Sequence, residues 1–283
     1  MKNIKYFFQF IIVIFFFIIF KFLGLKRSSF LSGRIFRFIG PFFRSNQICH
    51  KNLILAMPNL NFDQRNDIIK NMWINYGRIF AEYVFINKIK ISKNIQIENQ
   101  NILDECKKNS DPVIFISGHF NNFELMAMHI NDSGVNLSAI YRPLNNIFLN
   151  PIMEYIRKKY ICKNQIKKGF AGNKQILKNF KDKSSIALMI DQRVSEGIKA
   201  KFFKKEALTT TIPAQFVKKF NAKIVPIYIQ RIENNKFKMI VNEPLSFEKN
   251  NSLETITNKL NEILEKMILK NPEQWIWTHN RWK

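Results

Sequence analysis

The chain has 283 residues, is 46% hydrophobic and carries a formal net charge of +24 at pH 7. This length accommodates one sizeable α/β domain or two small ones, and the hydrophobic content excludes a globally disordered protein. The charge favours anionic partners such as nucleic acid, a phospholipid surface or an acidic protein, but a biased genome also produces scattered lysines, so charge alone assigns no function. The three cysteines are far apart, which fits a reducing compartment better than a disulfide framework.

An apolar segment extends from Tyr6 to Leu25 and is interrupted only by Gln9 and Lys21. As an α-helix it would be about 30 Å long, which matches the hydrocarbon core of a bilayer. A cleavable signal peptide would have a shorter apolar region followed by a small-residue cleavage site, and no such pattern follows this segment. We therefore predict a membrane anchor over residues 1–27 that is not cleaved.

Basic residues are distributed unequally around this apolar segment. Lys2 and Lys5 precede it, and a larger group follows it: Lys26, Arg27, Arg34, Arg37 and Arg44. The positive-inside rule therefore predicts that the rest of the protein lies in the cytoplasm. Residues 28–45 alternate apolar side chains with arginines, which is typical either of an amphipathic core helix or of a segment lying in the lipid headgroup layer.

The rest of the chain alternates between helix and strand patterns. Residues 63–88 have apolar side chains at helical spacing, and Asp63 is available to cap this helix. Strands are predicted at residues 113–116, 137–141, 186–190, 224–229 and 237–241. Further helices are predicted near residues 120–130, 147–159, 172–180, 212–221 and 252–269. The alternation predicts a single α/β domain over residues 28–283, with a central mixed sheet flanked by helices.

His119 is the candidate catalytic histidine. It follows a β-prone run and a Ser-Gly turn, and Glu124 lies five positions further on. The carboxyl end of a strand is where open α/β sheets commonly place their chemistry. A neutral imidazole there can take a proton from a hydroxyl group while a carboxylate fixes its tautomer. An isolated histidine is more often structural, and we interpret His50 as a surface residue and His129 as a packing or solvent-facing residue.

The absence of a serine-nucleophile motif narrows the chemistry further. The chain has no G-x-S-x-G sequence, and Ser117 is too close to His119 along the chain to be an obvious nucleophile. This favours direct attack by a substrate hydroxyl group over a serine-bound intermediate. A thioester is the natural electrophile for such an attack.

The sequence GHFNNFE, a histidine followed after four residues by an acidic residue, resembles the motif of the glycerolipid-type acyltransferase superfamily. With glutamate in place of the usual aspartate, it is similar to the late lipid A biosynthesis acyltransferases, the lauroyl/myristoyl transferase family. The resemblance extends in order over nearly the whole chain, including the ending NPEQWIWTHNRWK. Matching positions are Asn52, Pro58, Gly77, Arg78, Glu82, Tyr141, Arg142, Pro143, Asn146, Arg157, Asp191, Gln192, Phe203, Thr209, Thr210, Pro213 and Ala214. Departures are Asn121 and Phe123, where the family often has Gly and Trp, and Arg193, where it has a polar or acidic residue.

The resemblance implies a glycerol-3-phosphate-acyltransferase-like fold and transfer of a fatty acyl chain from acyl carrier protein to a hydroxyl group of a phosphorylated lipid A precursor. It places the enzyme at the cytoplasmic side of a bacterial inner membrane, as a single-pass or monotopic protein, and implies neither a cofactor nor a metal. His119 would be the general base and Glu124 its orienting partner. The substrate-binding candidates are Arg142, Asn146, Arg157 and Asp191. Arg142 could instead form a structural salt bridge, and Asp191 could order Arg142 or the histidine.

Two other functions compete with this interpretation. One is acyl transfer to another membrane lipid, such as a lysophospholipid or a glycolipid. The other is a membrane-tethered nucleic-acid-binding protein that exploits the positive charge, but the basic residues form no helix-turn-helix, zinc-finger or RNA-binding motif. We therefore expect no nucleic-acid partner.

Overall fold

The amino-terminal helix, α1, spans Lys2–Phe43 in the computed structural model, which describes residues 2–92, 94–109 and 111–283. Gly24 breaks this helix into two parts, because its φ of 77° and ψ of 165° are not helical and only glycine reaches such angles at little cost. The part before the break is long and apolar enough to cross a membrane. The sequence prediction of an apolar helix is therefore confirmed, whereas a domain boundary at residue 27 stays a prediction.

Two helices follow, of which the second packs on α1 and the first packs on the second. These are α2 (Asn46–Ala56) and α3 (Phe62–Glu82), and a 3-10 turn connects α3 to α4 (Ile86–Ile91). Asn61, and not Asp63, caps α3: its side chain accepts a hydrogen bond from the Gln64 amide, and the Gln64 side chain accepts one in return. Gly77 allows the close approach of α1, because a Cβ atom there would lie 2.3 Å from the Ser32 carbonyl oxygen.

The body is built on a seven-stranded sheet. Its strands are β1 (Ile95–Glu98), β2 (Ile114–Ser117), β3 (Leu137–Tyr141), β4 (Asn164–Lys167), β5 (Ser185–Met189), β8 (Ile224–Glu233) and β9 (Lys236–Val241). Their order across the sheet is β1-β9-β8-β2-β5-β3-β4. All neighbouring strands are parallel except β8 and β9, which form an antiparallel pair. The predicted mixed sheet is confirmed.

Helices cover both faces of this sheet. They are α5 (Gln100–Lys108), α6 (Glu124–Asp132), α7 (Asn150–Ile156) with a π-helical turn over Arg157–Ile161, α8 (Phe170–Lys181), α9 (Ile212–Phe220) and α10 (Leu253–Lys270). Alternate residues of β2 supply two separate cores: Ile114 and Ile116 enter one, and Phe115 enters the other. Trp275 and Trp277 are buried in the first core.

Several elements differ from the sequence prediction. Strands β1 and β4 and the hairpin of β6 (Ile198–Phe202) and β7 (Lys205–Thr209) were not predicted. Each of these strands is four or five residues long and carries polar or charged side chains. Their apolar pattern is therefore too short to predict a strand. Helix α6 begins at Glu124, not directly after the histidine, because Asn121 has a positive φ of 45° that interrupts any helix there.

Candidate active site

The site is assembled where two neighbouring parallel strands end. His119 follows β2 and Asp191 follows β5, and these strands pair in register. The Nδ1 atom of His119 lies 2.8 Å from Oδ1 of Asp191, and the His119 backbone N–H donates to Oδ2 at 2.8 Å. Trp275 donates its indole N–H to the same Oδ2 at 2.9 Å. Three donors therefore fix a carboxylate that is almost completely buried.

The charge of Asp191 determines the tautomer of the histidine ring. Burial alone would raise the pKa of this carboxyl group, but the charge of His119 and its hydrogen bonds outweigh burial and lower the pKa to about 2. An ionised carboxylate accepts hydrogen bonds only, so the proton of a neutral His119 ring must be on Nδ1. The other nitrogen, Nε2, is then unprotonated, and the side-chain nitrogen of Gln192 lies 3.5 Å from it.

Glu124 does not take the position expected for it. Its Oε1 atom accepts hydrogen bonds from Nε and Nη2 of Arg157, at 2.8 and 2.6 Å, and from the Tyr83 hydroxyl at 2.8 Å. The prediction that Glu124 orients the His119 ring is therefore corrected: Asp191 contacts the ring and Glu124 contacts Arg157. Because of the turn at Asn121, α6 begins only at Glu124, and the Glu124 carboxylate lies beside the π-helical segment that contains Arg157.

The predicted substrate-binding residues lie in different environments. Arg157 is largely buried, and although burial lowers the pKa of its guanidinium group, the Glu124 carboxylate outweighs burial and raises it. Asn146 is buried outside the cavity lining, where its side chain bonds Tyr6 of α1 and caps the turn at Phe148. Arg142 is exposed at the cavity rim, and within the described parts of the chain no carboxylate forms an ion pair with it. Arg142 is therefore free to meet a substrate, whereas Arg157 is already paired.

A cavity of about 880 Å³ opens beside the histidine and is lined by both His119 and Glu124. One wall is made of small side chains: Ala139 and Ala187 are register partners on β3 and β5, and Ala127 of α6 belongs to the same apolar core. Three basic side chains, Arg44, Arg142 and Lys168, and one exposed carboxylate, Glu196, also line the cavity. An apolar wall, a mainly basic rim and a histidine between them suit an amphiphilic, anionic substrate.

A buried ion pair supports the turn that carries His119. Glu82 is fully buried, and its carboxylate binds Arg231 at 2.7 and 3.1 Å and the side chain of Asn122 at 3.0 Å. Arg231 also donates to the Asn121 side chain at 3.0 Å. The sequence singled out Glu82 by resemblance without a role, and it gave no signal for Arg231. These residues hold the left-handed turn at Asn121 and so position the histidine.

The carboxyl-terminal segment closes the site from one side. His279 lines the cavity, and its Nε2 atom accepts a hydrogen bond from the Arg193 backbone N–H at 2.9 Å. The Arg193 side chain donates to the backbone oxygen of Lys283 at 3.1 Å. Arg193, one of the three residues that depart from the family pattern, therefore contacts the carboxyl-terminal residue of the chain.

The neutral state of His279 makes stability depend on pH. Burial, the largest cause, lowers the pKa of His279 from 6.5 to about 4. The unfolded chain binds a proton at this position below pH 6.5, and the folded chain does so only below about 4, so this contribution to stability is complete above pH 6.5 and is lost as the pH falls towards 4.

We predict that His279→Gln, which keeps a hydrogen-bond acceptor for Arg193, reduces the loss of stability between pH 6.5 and 4. Thermal unfolding of both proteins in detergent at a series of pH values measures the effect. All other titrating groups are shared, so the difference between the two curves isolates His279. Parallel curves for the wild type and the variant would contradict this assignment.

Comparisons with known proteins identify the family of the chain. Escherichia coli (strain K12) lipid A biosynthesis palmitoleoyltransferase is 22% identical over 263 residues, covering 90% of this chain and 84% of the relative. The lipid A biosynthesis lauroyltransferase of the same organism is 21% identical over 257 residues, covering 85% and 79%. A lipid A biosynthesis acyltransferase from Haemophilus influenzae is 22% identical over 253 residues, covering 85% and 78%. A family model described as bacterial lipid A biosynthesis acyltransferase matches residues 1–283, and the chain belongs to that family.

Proposed function

We propose that this acyltransferase of lipid A biosynthesis moves a fatty acyl chain from acyl carrier protein to a hydroxyl group of a phosphorylated lipid A precursor. The observation that carries the proposal is the His119–Asp191 pair beside a cavity that has an apolar wall. The family is shown by the match over the whole chain. The donor and the division of roles among the residues are our inference from the geometry.

The reaction needs one base and no covalent enzyme intermediate. Nε2 of His119 takes the proton of the acceptor hydroxyl group while its oxygen attacks the thioester carbonyl carbon. The tetrahedral intermediate collapses, the carbon–sulfur bond breaks, and the imidazolium returns the proton to the departing thiolate. Asp191 holds Nδ1–H throughout and stabilises the positive charge that develops on the ring. Glu124 acts as a positioning residue through Arg157.

The basic rim suits the phosphates of the acceptor. Burial, and then the nearby charge of Arg142, lower the pKa of Lys168. The Glu196 carboxylate raises the pKa of Lys168 but does not outweigh these two effects, so the lysine pKa stays lowered. We propose that Arg142 and Lys168 bind a phosphate group, and that exposed lysines elsewhere attract the acidic acyl carrier protein. The body would then lie on the cytoplasmic side of the inner membrane.

The alanine-lined wall of the cavity is proposed to receive the acyl chain. Ala127, Ala139 and Ala187 leave space that larger side chains would fill, and Met126 and Ile161 complete the apolar lining. This wall offers no polar side chain, so it suits a hydrocarbon chain. His119 lies between this wall and the basic rim, where a thioester carbonyl and a lipid hydroxyl group can meet.

Substitutions of three site residues test this mechanism. His119→Ala should lower turnover by about two to four orders of magnitude, and Asp191→Asn by a similar factor, because the neutral amide no longer enforces the Nδ1–H tautomer. Glu124→Gln should lose less, because an amide oxygen still accepts from Arg157. Turnover is measured with acyl carrier protein and coenzyme A thioesters as donors and with purified lipid A precursor as acceptor. Asp111→Asn, which changes an exposed carboxylate, is the matched control.

Three results would contradict this mechanism: near-normal transfer by folded His119→Ala protein, an acyl-enzyme trapped on serine or cysteine, or a larger loss in Glu124→Gln than in Asp191→Asn. Mass spectrometry of lipid A from a strain lacking the gene, with and without complementation, tests the acceptor independently. An unchanged lipid A profile together with a changed phospholipid or glycolipid would assign a different acceptor.

A separate prediction concerns acyl-chain length. Ala139→Leu and Ala187→Leu should shift donor preference towards shorter chains, because each methylene excluded from an apolar pocket is worth about 1–3 kcal/mol, or roughly 10–200-fold in specificity. Competition between donors of different lengths measures the shift. Ala222→Leu is the matched control, because Ala222 is equally buried but lies at the opposite end of the sheet, outside this cavity. Equal shifts in all three variants, or none, would remove the alanine wall as the acyl site.

A further inference from the structure

The apolar part of α1 contacts the body at both of its ends. Near the break, Phe17 and Phe20 pack on Phe80 of α3, with ring centroids 5.2 and 5.9 Å apart, and Phe20 is 1% exposed. At the other end, the Asn146 side chain donates to the Tyr6 carbonyl oxygen at 2.8 Å. The body is therefore in contact with the apolar part of α1 both at its first turns and at its last turns.

The loop after β3 makes the contact at the far end. Phe148 packs on Phe7 and Phe10, with centroids 5.6 and 6.0 Å apart. The same loop begins with Arg142, which lines the rim of the catalytic cavity. The amino-terminal end of α1 therefore contacts the loop that contributes Arg142 to the cavity rim.

These contacts are incompatible with a helix that crosses the bilayer away from the body. Tyr6 and Phe20 are separated by fourteen residues, or about 21 Å of helix, which is most of the ~30 Å hydrocarbon core. If the helix spanned the hydrocarbon core of the bilayer, the loop after β3 would have to lie at the far side of the bilayer, because it contacts the helix at Tyr6. The exposed Arg142 in that loop would lie there too. Charged side chains and loop backbone in hydrocarbon cost several kcal/mol each.

The exposed faces indicate a different arrangement. The side of α1 turned away from the body is largely apolar. Its exposed apolar residues include Phe8, Ile11, Ile12, Phe15, Ile18 and Phe22, and Gln9 and Lys21 are the polar residues exposed among them. The loop adds two exposed apolar side chains, Leu144 and Ile147, beside the same end of the helix. Leu144 also lines the catalytic cavity. An apolar surface continuous with a basic rim is the pattern of a protein face that lies in one leaflet.

We propose that the apolar part of α1 does not span the membrane but lies in a single leaflet together with Leu144 and Ile147. Both ends of the helix and the body are then on the same side, and the cavity opens at headgroup depth towards lipid in that leaflet. This arrangement rests on membrane attachment and is independent of the acyl-transfer chemistry in the proposed function.

Single-cysteine labelling tests the arrangement in the full chain. The three native cysteines are replaced by alanine, lipid A modification is checked, and Asn3→Cys is compared with Asn250→Cys, an exposed position on the body. A membrane-impermeant maleimide is added to spheroplasts, to lysed membranes and to detergent-solubilised protein. We expect both positions to be protected in intact spheroplasts, and Asn3→Cys to react only after lysis or solubilisation. Labelling of the two positions from opposite sides of the intact membrane would overturn the proposal.

Quenching by lipid tests the loop contact separately. A fluorophore on Ile147→Cys should be quenched by lipids brominated near the headgroup in vesicles of phosphatidylethanolamine and phosphatidylglycerol, whereas the same fluorophore on Asn250→Cys should not. Absence of quenching at Ile147 would overturn the proposed contact. Cross-linking of Ile147→Cys into dimers instead would assign this surface to a second copy of the chain. Neither readout depends on turnover, so failure here and failure of the catalytic proposal are distinguishable.

Discussion

The site depends on one buried carboxylate. Asp191 is 2% exposed and ionised, and burial of such a charge is tolerated only because His119 contributes two donors and Trp275 a third. These donors come from the end of β2 and from the carboxyl-terminal segment. The same contacts that satisfy the charge therefore connect the strand end to the tail and leave only Nε2 of the histidine available for chemistry.

A second buried charge fixes the backbone around the first. The Glu82 carboxylate receives hydrogen bonds from the Asn122 and Arg231 side chains and, at 3.2 Å, from Ser29 of α1. Removing one member of such a pair leaves the other uncompensated, which costs about 3–5 kcal/mol. The helix that attaches the protein to lipid and the turn that presents His119 therefore share one hydrogen-bond network. We expect this network to set the height of the histidine relative to the membrane surface.

Local sequence patterns were sufficient for part of this picture. The alternation of helix and strand predicted the mixed sheet, β3 was predicted with its observed bounds, and the strand-then-turn pattern located His119 at the end of β2. The motif spacing was misleading for Glu124, because its five-residue separation from His119 includes a left-handed turn at Asn121 that local propensity does not reveal. The Asp191 contact requires β5 to lie beside β2 although β3 and β4 intervene in the chain, and sheet order is a property of long-range packing.

The proposed mechanism requires Asp191 to hold His119 in the tautomer that leaves Nε2 free to act as a base. Nitrogen-15 NMR of histidine-labelled protein in detergent tests it directly, because the chain has only four histidines and His119→Gln identifies the relevant signals. At about pH 8, where an ordinary imidazole is neutral, we expect Nδ1 of His119 to carry the proton in the wild type, and we expect Asp191→Asn to lose this preference. A wild-type His119 protonated on Nε2 under the same conditions would contradict it.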